Sequence, residues 1–507
     1  MNFDRRTCSQ ARLTRDARFD GRFFIGVRTT RIYCRPICPV RAAKEKNVTY
    51  FPTAAAAAEA GYRPCLRCRP ESSPGTPAWS GTSATVARAL RLISEGGVDE
   101  DGVERLAARL GVGGRQLRRL FIQHLGASPS AVIKTRRLHF AKKLIDETNL
   151  PFSEIALVSG FGSVRRFNSA FRKTYGRTPT QIRKFSPSSS TPHKNKYELR
   201  LHFRPPFDWD AFLNFLARRA IPGVEAIESN CYLRTIALNG SAGTLRVMPD
   251  ESSIALRAEI AFPEPRWLFQ IVERLRRMFD LMCDPREIAS HLSGDSLLAG
   301  RVNRMPGLRV PGCWDGFELA VRAILGQQIS VTGARTLAGR LVHKFGKRLG
   351  DNPPLTHLFP RPERLANADI DSIGLPAPRA ESIRTLARRV CEGQISFGST
   401  QDTDEFRSRL LEVPGIGDWT AQYIAMRALG DPDAFPANDL GLIRSMSMQN
   451  PRESIRRAEK WRPWRAYAAM YLWQSNGGEA DRRPPASEIL ERAGGLNGAV
   501  ERKIISL

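Results

Sequence analysis

Four cysteines near the start of the chain constrain its fold more than any other feature. They form two pairs, Cys34-Arg-Pro-Ile-Cys38 and Cys65-Leu-Arg-Cys68, with arginines between and around them. A C-x3-C…C-x2-C set is typical of zinc ligands, and the start of the chain lacks the apolar stretch of a secretory signal that would favour disulfides. We therefore predict one Zn²⁺, both structural and thiolate-activating, bound by Cys34, Cys38, Cys65 and Cys68.

The charge predicts a polyanionic partner. The net charge is +27 and the sequence pI is about 10.4. Residues 1–196 carry 36 Lys+Arg against 14 Asp+Glu, whereas the other 311 residues carry 42 against 37. We expect the first part to hold double-stranded DNA electrostatically and the rest to bind it through local geometry. Since no apolar run approaches the roughly 20 residues of a membrane span, we expect a cytoplasmic, nucleoid-associated protein without a membrane partner.

A chain of 507 residues is too long for one hydrophobic core. Pro/Ser/Thr-rich stretches and changes from helical to alternating periodicity divide it, which predicts a multidomain fold, mainly α with α+β parts. The predicted units are a four-cysteine zinc domain (1–78), an all-α domain (79–186), a linker (187–196), an α+β domain (197–300), a second all-α domain (301–480) and a tail (481–507).

The second unit contains two similar helix pairs. Turns at 111–114 and 159–163 each separate two apolar-faced helices, and Ser163 is placed to cap the later one. The second helix of each pair presents basic residues on its other face, as expected for insertion into successive major grooves. Basic solvated faces are also common on ordinary amphipathic helices. The predicted DNA-contacting residues are Arg115, Arg118, Arg119, Arg165, Arg166 and Arg172.

The pair resembles the AraC-type DNA-binding domain over roughly residues 83–184. The matching stretch is Gly160-Phe-Gly-Ser-x3-Phe167-x3-Phe171-x3-Tyr175-Gly-x-Thr-Pro179. Gly113 departs from the family, which usually has a capping serine there. The resemblance implies sequence-specific DNA binding.

Together with these helices, the cysteine-containing segments resemble the front half of Ada-type adaptive-response regulators over nearly all of residues 1–185. The segments are Val27-Arg-Thr-Thr-Arg-Ile-Tyr-Cys34-Arg-Pro-x-Cys38-Pro and Gly61-Tyr-Arg-Pro-Cys65-x2-Cys68-x-Pro70. The resemblance implies that Cys34 irreversibly accepts a methyl group from a DNA methylphosphotriester and that the methylated protein activates transcription. Arg31 stands where the family commonly has glycine, and the Pro-Cys-His-Arg run of an O6-alkylguanine methyltransferase is absent. A purely structural zinc site is the alternative.

A helix-hairpin-helix pattern marks the last part of the chain. The stretch Leu411-Glu-Val-Pro-Gly-Ile-Gly-Asp-Trp-Thr-Ala421 follows a predicted helix over 403–411 and starts another. Glycines allow backbone N–H groups to approach a phosphate, and a helix N-terminus favours the anion. We predict that Val413, Gly415 and Gly417 contact the DNA backbone. About twenty residues after the hairpin comes Asp439.

This order of motifs resembles the helix-hairpin-helix DNA glycosylases, and residues 197–476 resemble 3-methyladenine DNA glycosylase II. Matching segments are Pro206-Phe-Asp-Trp209, Pro306-Gly-Leu-Arg-Val-Pro-Gly312, Ala323-Ile-Leu-Gly-Gln-Gln-Ile-Ser330 and Trp461-x-Pro-Trp464-Arg-x-Tyr467-x3-Tyr471-Leu-Trp473. The resemblance implies that Asp439 is the catalytic carboxylate, that Leu308 fills the gap left by the flipped nucleotide, and that the base pocket is walled by Trp419, Tyr423 and Trp473. The alternative for each of the three aromatic residues is that it is an ordinary core residue. The alternative for Asp439 is that it caps a helix N-terminus, and a capping aspartate could also catalyse.

The residues favour a monofunctional glycosylase. Trp419 stands where bifunctional relatives have a Schiff-base lysine, and no cysteine follows Cys391, so the iron–sulfur cluster of other relatives cannot form. A 3- or 7-alkylated purine carries positive charge and leaves readily, so one carboxylate suffices.

The sequence thus predicts a fused alkylation-response protein that activates transcription and excises alkylated bases, with RNA polymerase as a further candidate partner. Two alternatives remain open. One is a DNA-binding regulator whose glycosylase half is catalytically idle, and the other is a constitutive repair enzyme whose front half only tethers it to DNA.

Overall fold

The computed structural model describes residues 4–73, 84–94, 102–185, 195–350, 353–398 and 403–475. The predicted tail (481–507) and most of the predicted linker (187–196) lie outside these ranges. The described residues are mainly helical with two sheets, which confirms the predicted fold class. No helix in these ranges is both long and apolar enough to cross a bilayer.

The first unit is built on a small four-stranded sheet of order β3-β1-β2-β4. Strand β1 pairs antiparallel with β2 and β3, while β2 and β4 run parallel. Strands of two to four residues are too short to show alternation, so the sequence did not predict this sheet. The elements are α1 (Arg5–Leu13), β1 (Phe24–Val27), β2 (Ile32–Cys34), β3 (Val48–Phe51), α2 (Ala54–Glu59) and β4 (Arg63–Pro64).

The second unit is an internal repeat of three helices, preceded by one further helix. In each repeat the middle helix buries aromatic or aliphatic residues four apart, such as Phe167, Phe171 and Tyr175, and ends at a glycine with a φ of +68°. Ser163 caps its helix as predicted, whereas Gly113 provides no side-chain cap. The helices are α3 (Ala84–Ser94), α4 (Val103–Arg109), α5 (Gly114–Leu125), α6 (Pro129–Glu147), α7 (Phe152–Val158), α8 (Val164–Tyr175) and α9 (Pro179–Phe185).

The third unit packs helices on an antiparallel five-stranded sheet of order β5-β9-β8-β7-β6. Alternation of apolar and polar residues at 197–203 and 233–238 predicts two strands, and β5 and β7 lie there. The elements are β5 (Lys196–His202), α10 (Trp209–Ala217), β6 (Glu225–Glu228), β7 (Cys231–Leu238), β8 (Ser241–Pro249), β9 (Ala255–Ala261), α11 (Leu268–Met278), α12 (Pro285–Leu292) and α13 (Ser296–Arg304).

The fourth unit is helical and contains the helix-hairpin-helix, with α18 within the predicted bounds. A π-helical turn, Ala425–Leu429, directly extends α19; such turns are frequent at functional sites. The helices are α14 (Gly316–Leu325), α15 (Val331–Phe345), α16 (Pro362–Leu365), α17 (Ala377–Cys391), α18 (Thr403–Leu411), α19 (Asp418–Ile424), α20 (Leu440–Ser445), α21 (Pro451–Ala458) and α22 (Arg465–Ser475). Short 3₁₀ turns elsewhere in the chain are Ala17–Phe19, Glu45–Asn47, Pro70–Ser72, Pro265–Trp267, Ile370–Ile373 and Glu459–Trp461.

The four units pack against one another. One apolar cluster runs from the later helix-turn-helix repeat through the five-stranded sheet to the last helices. At this junction the rings of Phe140 and Phe269 meet edge to face with centroids 4.9 Å apart, and Arg136 pairs with Glu273 at 3.1 Å. The second unit therefore packs directly against the third through α6 and α11.

Candidate functional site

The small sheet of the first unit brings the two cysteine pairs together. Strands β2 and β4 run parallel, with Tyr33 opposite Pro64. The residue that follows each of these two is a cysteine, so Cys34 and Cys65 lie side by side. The amide of Cys65 donates to the carbonyl of Tyr33 at 2.9 Å. A tight turn after each strand returns the second cysteine of each pair to the first, and Cys38 donates from its amide to the carbonyl of Arg35.

The four sulfurs have the arrangement that a tetrahedral metal ion requires. All four lie within 4.8 Å of one another, and a Zn²⁺ with Zn–S bonds of about 2.3 Å places its ligands about 3.8 Å apart. Sulfur–sulfur hydrogen bonds raise the pKa of Cys34 and Cys68 and lower the pKa of Cys38 and Cys65. A bound Zn²⁺ would override these differences because it requires thiolates. The residues therefore fit the predicted zinc site.

The cluster is open on one side. Cys65 and Cys68 are buried, whereas Cys34 and Cys38 are partly exposed. Cys34 and Cys38 line a surface depression of about 360 Å³ that also includes the basic residues Arg12, Arg15 and Arg41. Cys34 thus lies next to an opening whose charge suits a phosphate group. Arg31, which replaces the glycine of the resemblance, adopts a left-handed φ of +55°.

The predicted DNA-contacting arginines of the second unit lie on the surface. In both α5 and α8 one face is buried, formed by Leu117, Phe121 and Leu125 in α5 and by Phe167, Phe171 and Tyr175 in α8, and the basic residues occupy the outer face. All six predicted side chains are exposed: Arg115, Arg118, Arg119, Arg165, Arg166 and Arg172.

Asp439 forms the centre of the second candidate site. It caps α20, since its Oδ1 accepts the amide of Leu442 at 2.9 Å. Trp473 Nε1 donates to the same oxygen and Trp419 Nε1 donates to Oδ2, each at 2.9 Å. A carboxylate has about four acceptor positions, so three hydrogen bonds fix its orientation and leave capacity for a water molecule. Asp439 is therefore a helix cap, and it is also presented at a partly exposed position.

The three predicted aromatic residues lie together beside this carboxylate. Trp419 and Tyr423 are one helical turn apart and stack with a centroid distance of 5.3 Å and an angle of 7°, while Trp473 meets Tyr423 edge-on at 6.2 Å. All three are partly exposed. An electron-poor cationic ring gains from stacking on such π faces. The group forms an aromatic wall next to an anion.

Arg427, which the sequence did not single out, supports this wall. It lies in the π-helical turn and donates from Nη1 to the Tyr423 hydroxyl at 2.6 Å. Its Nε donates to the carbonyl of Pro311 at 2.8 Å. Burial raises the pKa of Tyr423, but the guanidinium groups of Arg427 and Arg219 outweigh it and bring the pKa below its usual value. The only feature of the sequence that could have indicated this role is that Arg427 lies four residues, or one helical turn, after Tyr423.

The hairpin between α18 and α19 exposes backbone at its glycines. Gly415 has a φ of +83° and Gly417 precedes α19 without a side-chain cap, so the first amides of α19 face outward. Both glycines are exposed. The side chain of Val413 belongs to the core, so only its backbone faces the hairpin. Gln327 donates from Nε2 to the carbonyl of Gly415 at 2.8 Å, which places the loop 326–330 beside the hairpin.

The position of Leu308 corrects the sequence prediction. Its side chain is only 2% exposed and belongs to the core, so it is not placed to enter a duplex. The loop that carries it is packed inward, because a Cβ at Gly307 would lie 2.6 Å from the backbone of Pro206. Exposed side chains next to the hairpin are found instead in the loop 326–330, where Gln328 has a left-handed φ of +57° and Ile329 is 38% exposed.

Four family models match successive parts of the chain. They are the metal binding domain of Ada (residues 7–71), a helix-turn-helix domain (106–184), the AlkA N-terminal domain (198–315) and the HhH-GPD superfamily of base excision DNA repair proteins (321–462). These matches confirm the resemblances on which the sequence predictions depended.

Relatives match the chain as a whole and in parts. A probable bifunctional transcriptional activator/DNA repair enzyme AlkA from Mycobacterium tuberculosis is 41% identical over 497 residues, which is 96% of this chain and 100% of that protein. DNA-3-methyladenine glycosylase 2 of Escherichia coli is 36% identical and covers 55% of this chain and 98% of its own length. The bifunctional transcriptional activator/DNA repair enzyme AdaA of Bacillus subtilis is 31% identical, covering 37% of this chain and 86% of its own.

Proposed function

Because this chain belongs to the family of the bifunctional transcriptional activator/DNA repair enzyme AlkA, we propose that it answers DNA alkylation with two chemical centres. One is the four-cysteine cluster, which senses damage and regulates transcription. The other is the carboxylate site, which removes 3-methyladenine and related alkylated bases. One observation supports the glycosylase function most directly. Two indole N–H groups hold the carboxylate of Asp439 beside an aromatic wall and next to a helix-hairpin-helix.

Base excision at this site is a hydrolysis of the N-glycosidic bond. The flipped alkylpurine stacks against Trp419, Tyr423 and Trp473, and its positive charge is stabilised by their π faces. As the C1′–N bond breaks, its electron pair neutralises the cationic base, and the Asp439 carboxylate stabilises the positive charge that develops on the sugar. Water then bonds to C1′ and transfers its proton to Asp439. The site has no lysine in a Schiff-base position, so strand cleavage does not follow.

Methyl transfer is the proposed reaction of the front half. The Cys34 sulfur attacks the methyl carbon of a methylphosphotriester, forming a C–S bond. The methyl C–O bond breaks, and its electrons stay on the oxygen of the restored phosphodiester. Cys34, Cys38, Cys65 and Cys68 would hold a Zn²⁺, which would keep the sulfur deprotonated at neutral pH. The depression binds the neighbouring phosphates through Arg15 and Arg41, since Arg12 is buried and paired with Glu45 at 2.9 Å.

The methylated cluster carries one negative charge less, which weakens its repulsion from DNA and favours promoter binding by the helix-turn-helix repeats. The six exposed arginines of α5 and α8 supply the major-groove contacts. As an activator, the protein has RNA polymerase as a further partner.

The hairpin and the loop beside it form the DNA-binding surface of the glycosylase part. Backbone amides at Gly415 and Gly417 bind phosphates, with a contribution from the backbone of Val413. The exposed loop 326–330, rather than Leu308, provides the side chain that occupies the gap left by the flipped nucleotide.

One experiment tests both centres. Purified protein is incubated with methylated duplex DNA, and mass spectrometry is applied to the intact protein and to the released bases. Wild type is expected to release 3-methyladenine and to gain one methyl mass on the peptide containing Cys34. Asp439→Asn should lose base release but keep the methyl gain, and Cys34→Ser should show the reverse.

The alternatives predict other outcomes. Base release equal in wild type and Asp439→Asn would mean that Asp439 is not catalytic, and no release by wild type would leave a regulator with an idle glycosylase half. Reporter induction that is independent of Cys34 would identify a constitutive repair enzyme.

A further inference from the structure

The zinc domain (residues 4–73) is joined to the glycosylase part by a buried polar interface. Arg22 pairs through Nη1 with Asp284 at 3.0 Å and through Nη2 with Glu287 at 3.1 Å. Two residues earlier, the carbonyl of Asp20 accepts a hydrogen bond from Arg204 Nε at 3.1 Å. The segment 20–22 therefore contacts the glycosylase part through both Asp20 and Arg22.

The same segment is tied to the cysteine cluster. The Asp20 carboxylate accepts Arg35 Nε at 2.8 Å. Arg35 in turn donates from Nη1 to the carbonyl of Cys68 at 3.1 Å, and its amide lies 3.3 Å from the Cys68 sulfur. Because Asp20 and Arg35 are both buried, this pair is shielded from solvent and keeps a defined geometry.

On the glycosylase side the contacts continue through two buried arginines. Arg204 donates from Nη1 to the carbonyls of Met282 and Cys283, which directly precede Asp284. The carbonyl of Arg204 accepts Arg309 Nη2 at 2.6 Å. Arg204 is 1% exposed and Arg309 is fully buried. A continuous series of contacts thus connects the Arg22–Asp284 ion pair with Arg204, and Arg204 with the loop that contains Arg309.

This loop, residues 306–312, reaches the base pocket. Its last two carbonyls, of Pro311 and Gly312, accept Arg427 Nε at 2.8 Å and Nη2 at 3.2 Å. Arg427 places its third nitrogen, Nη1, on the hydroxyl of Tyr423. Gly312 packs closely on α11: its amide donates to the carbonyl of Met278 at 2.9 Å, and a Cβ there would lie 2.7 Å from the carbonyl of Arg277. Arg427 therefore connects this loop with the aromatic wall.

We propose that Arg22, a residue of the zinc domain, is a positioning residue for base excision. It acts through Arg204, the loop 306–312 and Arg427 to hold Tyr423 against Trp419, whose indole orients Asp439. The inference rests on the proposed glycosylase function and adds to it a dependence on a residue of another domain. Since Asp284 is buried, loss of the Arg22 charge leaves its carboxylate without a paired cation and with the amides of Arg286 and Glu287 as its donors, which favours a local rearrangement.

The test uses the full chain with Arg22→Gln and the matched control Arg28→Gln. Arg28 also lies in the zinc domain, but it donates to Thr49 within that domain, so both variants lose one positive charge. The readouts are the single-turnover rate constant for base release from a methylated duplex and the Kd for that duplex. Arg22→Gln should lower the rate constant about fivefold relative to Arg28→Gln, while the two Kd values agree.

A double-mutant cycle separates positioning from general destabilisation. Tyr423→Phe removes the hydroxyl that Arg427 contacts, so Arg22→Gln should reduce the rate constant much less in that background. Equal rate constants for Arg22→Gln and Arg28→Gln would overturn the proposal. It would also be overturned if Arg22→Gln lowered the rate constant as much in the Tyr423→Phe background as in wild type. Absence of base release by wild type would instead refute the glycosylase function, and the proposal with it.

Discussion

The hydroxyl oxygen of Tyr33 lies 2.9 Å from Nε2 of His139. Tyr33 immediately precedes Cys34, and His139 lies in the middle of α6, the helix between the two helix-turn-helix motifs. Burial, together with the nearby charge of Glu71, holds the pKa of Tyr33 well above its ordinary value. Burial also lowers the pKa of His139 to about 4. The contact thus joins two neutral groups, and it links the cysteine cluster directly to the DNA-binding domain.

This contact predicts an acid-sensitive stability. Unfolded His139 takes up a proton near pH 6.5, whereas the folded side chain stays neutral down to about pH 4. The contribution of neutral His139 to the free energy of unfolding is therefore complete above pH 6.5. It falls by about 1.4 kcal/mol per pH unit as the pH is lowered from 6.5 toward 4. The melting temperature of wild type should fall more steeply between pH 7 and 5 than that of His139→Gln. Parallel curves would contradict the assignment.

The two indole donors on Asp439 predict a loss of catalysis without a loss of DNA binding. Trp473→Phe keeps an aromatic ring but removes the Nε1–H that orients Oδ1. A hydrogen bond to a charged group contributes about 1.5–3 kcal/mol, so we expect the single-turnover rate of base release to fall at least about tenfold. Trp419→Phe should act in the same direction through Oδ2. A Kd for the duplex that changed as much as the rate would point to a disturbed DNA interface instead.

The cysteine cluster predicts one zinc per chain that depends on all four sulfurs. Cys65→Ser removes a buried ligand and should abolish stoichiometric zinc, as measured by elemental analysis of the purified protein. Cys391→Ser is the matched control, because Cys391 is exposed and lies outside the cluster. Zinc retained by Cys65→Ser at the wild-type level would show that the metal is held elsewhere.

The grouping of the cysteines, and that of Asp439 with its aromatic neighbours, was predictable from the sequence because it depends on local patterns. Cysteine spacing identified the metal ligands, and the Pro-Gly-Ile-Gly hairpin identified the helix-hairpin-helix. The aromatic residues followed from their matching positions. Trp419 and Tyr423 are one turn apart on α19, so their stacking is a property of helix geometry.

Features that depend on contacts between distant segments were not accessible. The hydrogen bond between Arg204 and Asp20 joins residues 184 positions apart, and no periodicity encodes it. Leu308 shows the converse error, since its role was carried over from the resemblance by matching position, and a matching position does not show whether a side chain is exposed. The burial of Leu308 follows from the backbones of Pro206 and Arg277, which lie against Gly307 and Gly312.

The uneven charge predicts which arginines control the salt dependence of DNA binding. Arg165→Gln removes an exposed charge from the outer face of α8, and the slope of log K against log salt should become shallower by about 1. Arg462→Gln is the control, because its guanidinium is already paired with Asp433 and Glu459. Titrations of an undamaged duplex at several salt concentrations give both slopes. An equal change in the two variants would argue against groove contacts by α8.

The two hairpin glycines predict different consequences for the same substitution. At Gly415 the φ of +83° disfavours any L side chain, and a Cβ would lie 2.3 Å from the Ser382 hydroxyl. We expect Gly415→Ala to cost about 1–2 kcal/mol in the hairpin, which lowers both the melting temperature and the affinity for DNA. At Gly417 the backbone is extended and a Cβ meets nothing within 4 Å, so Gly417→Ala should leave the melting temperature unchanged. Its added methyl group would nevertheless stand where a phosphate approaches the backbone, and the Kd should rise. A Gly417→Ala variant that binds DNA as tightly as wild type would mean that the duplex does not come close to this part of the hairpin.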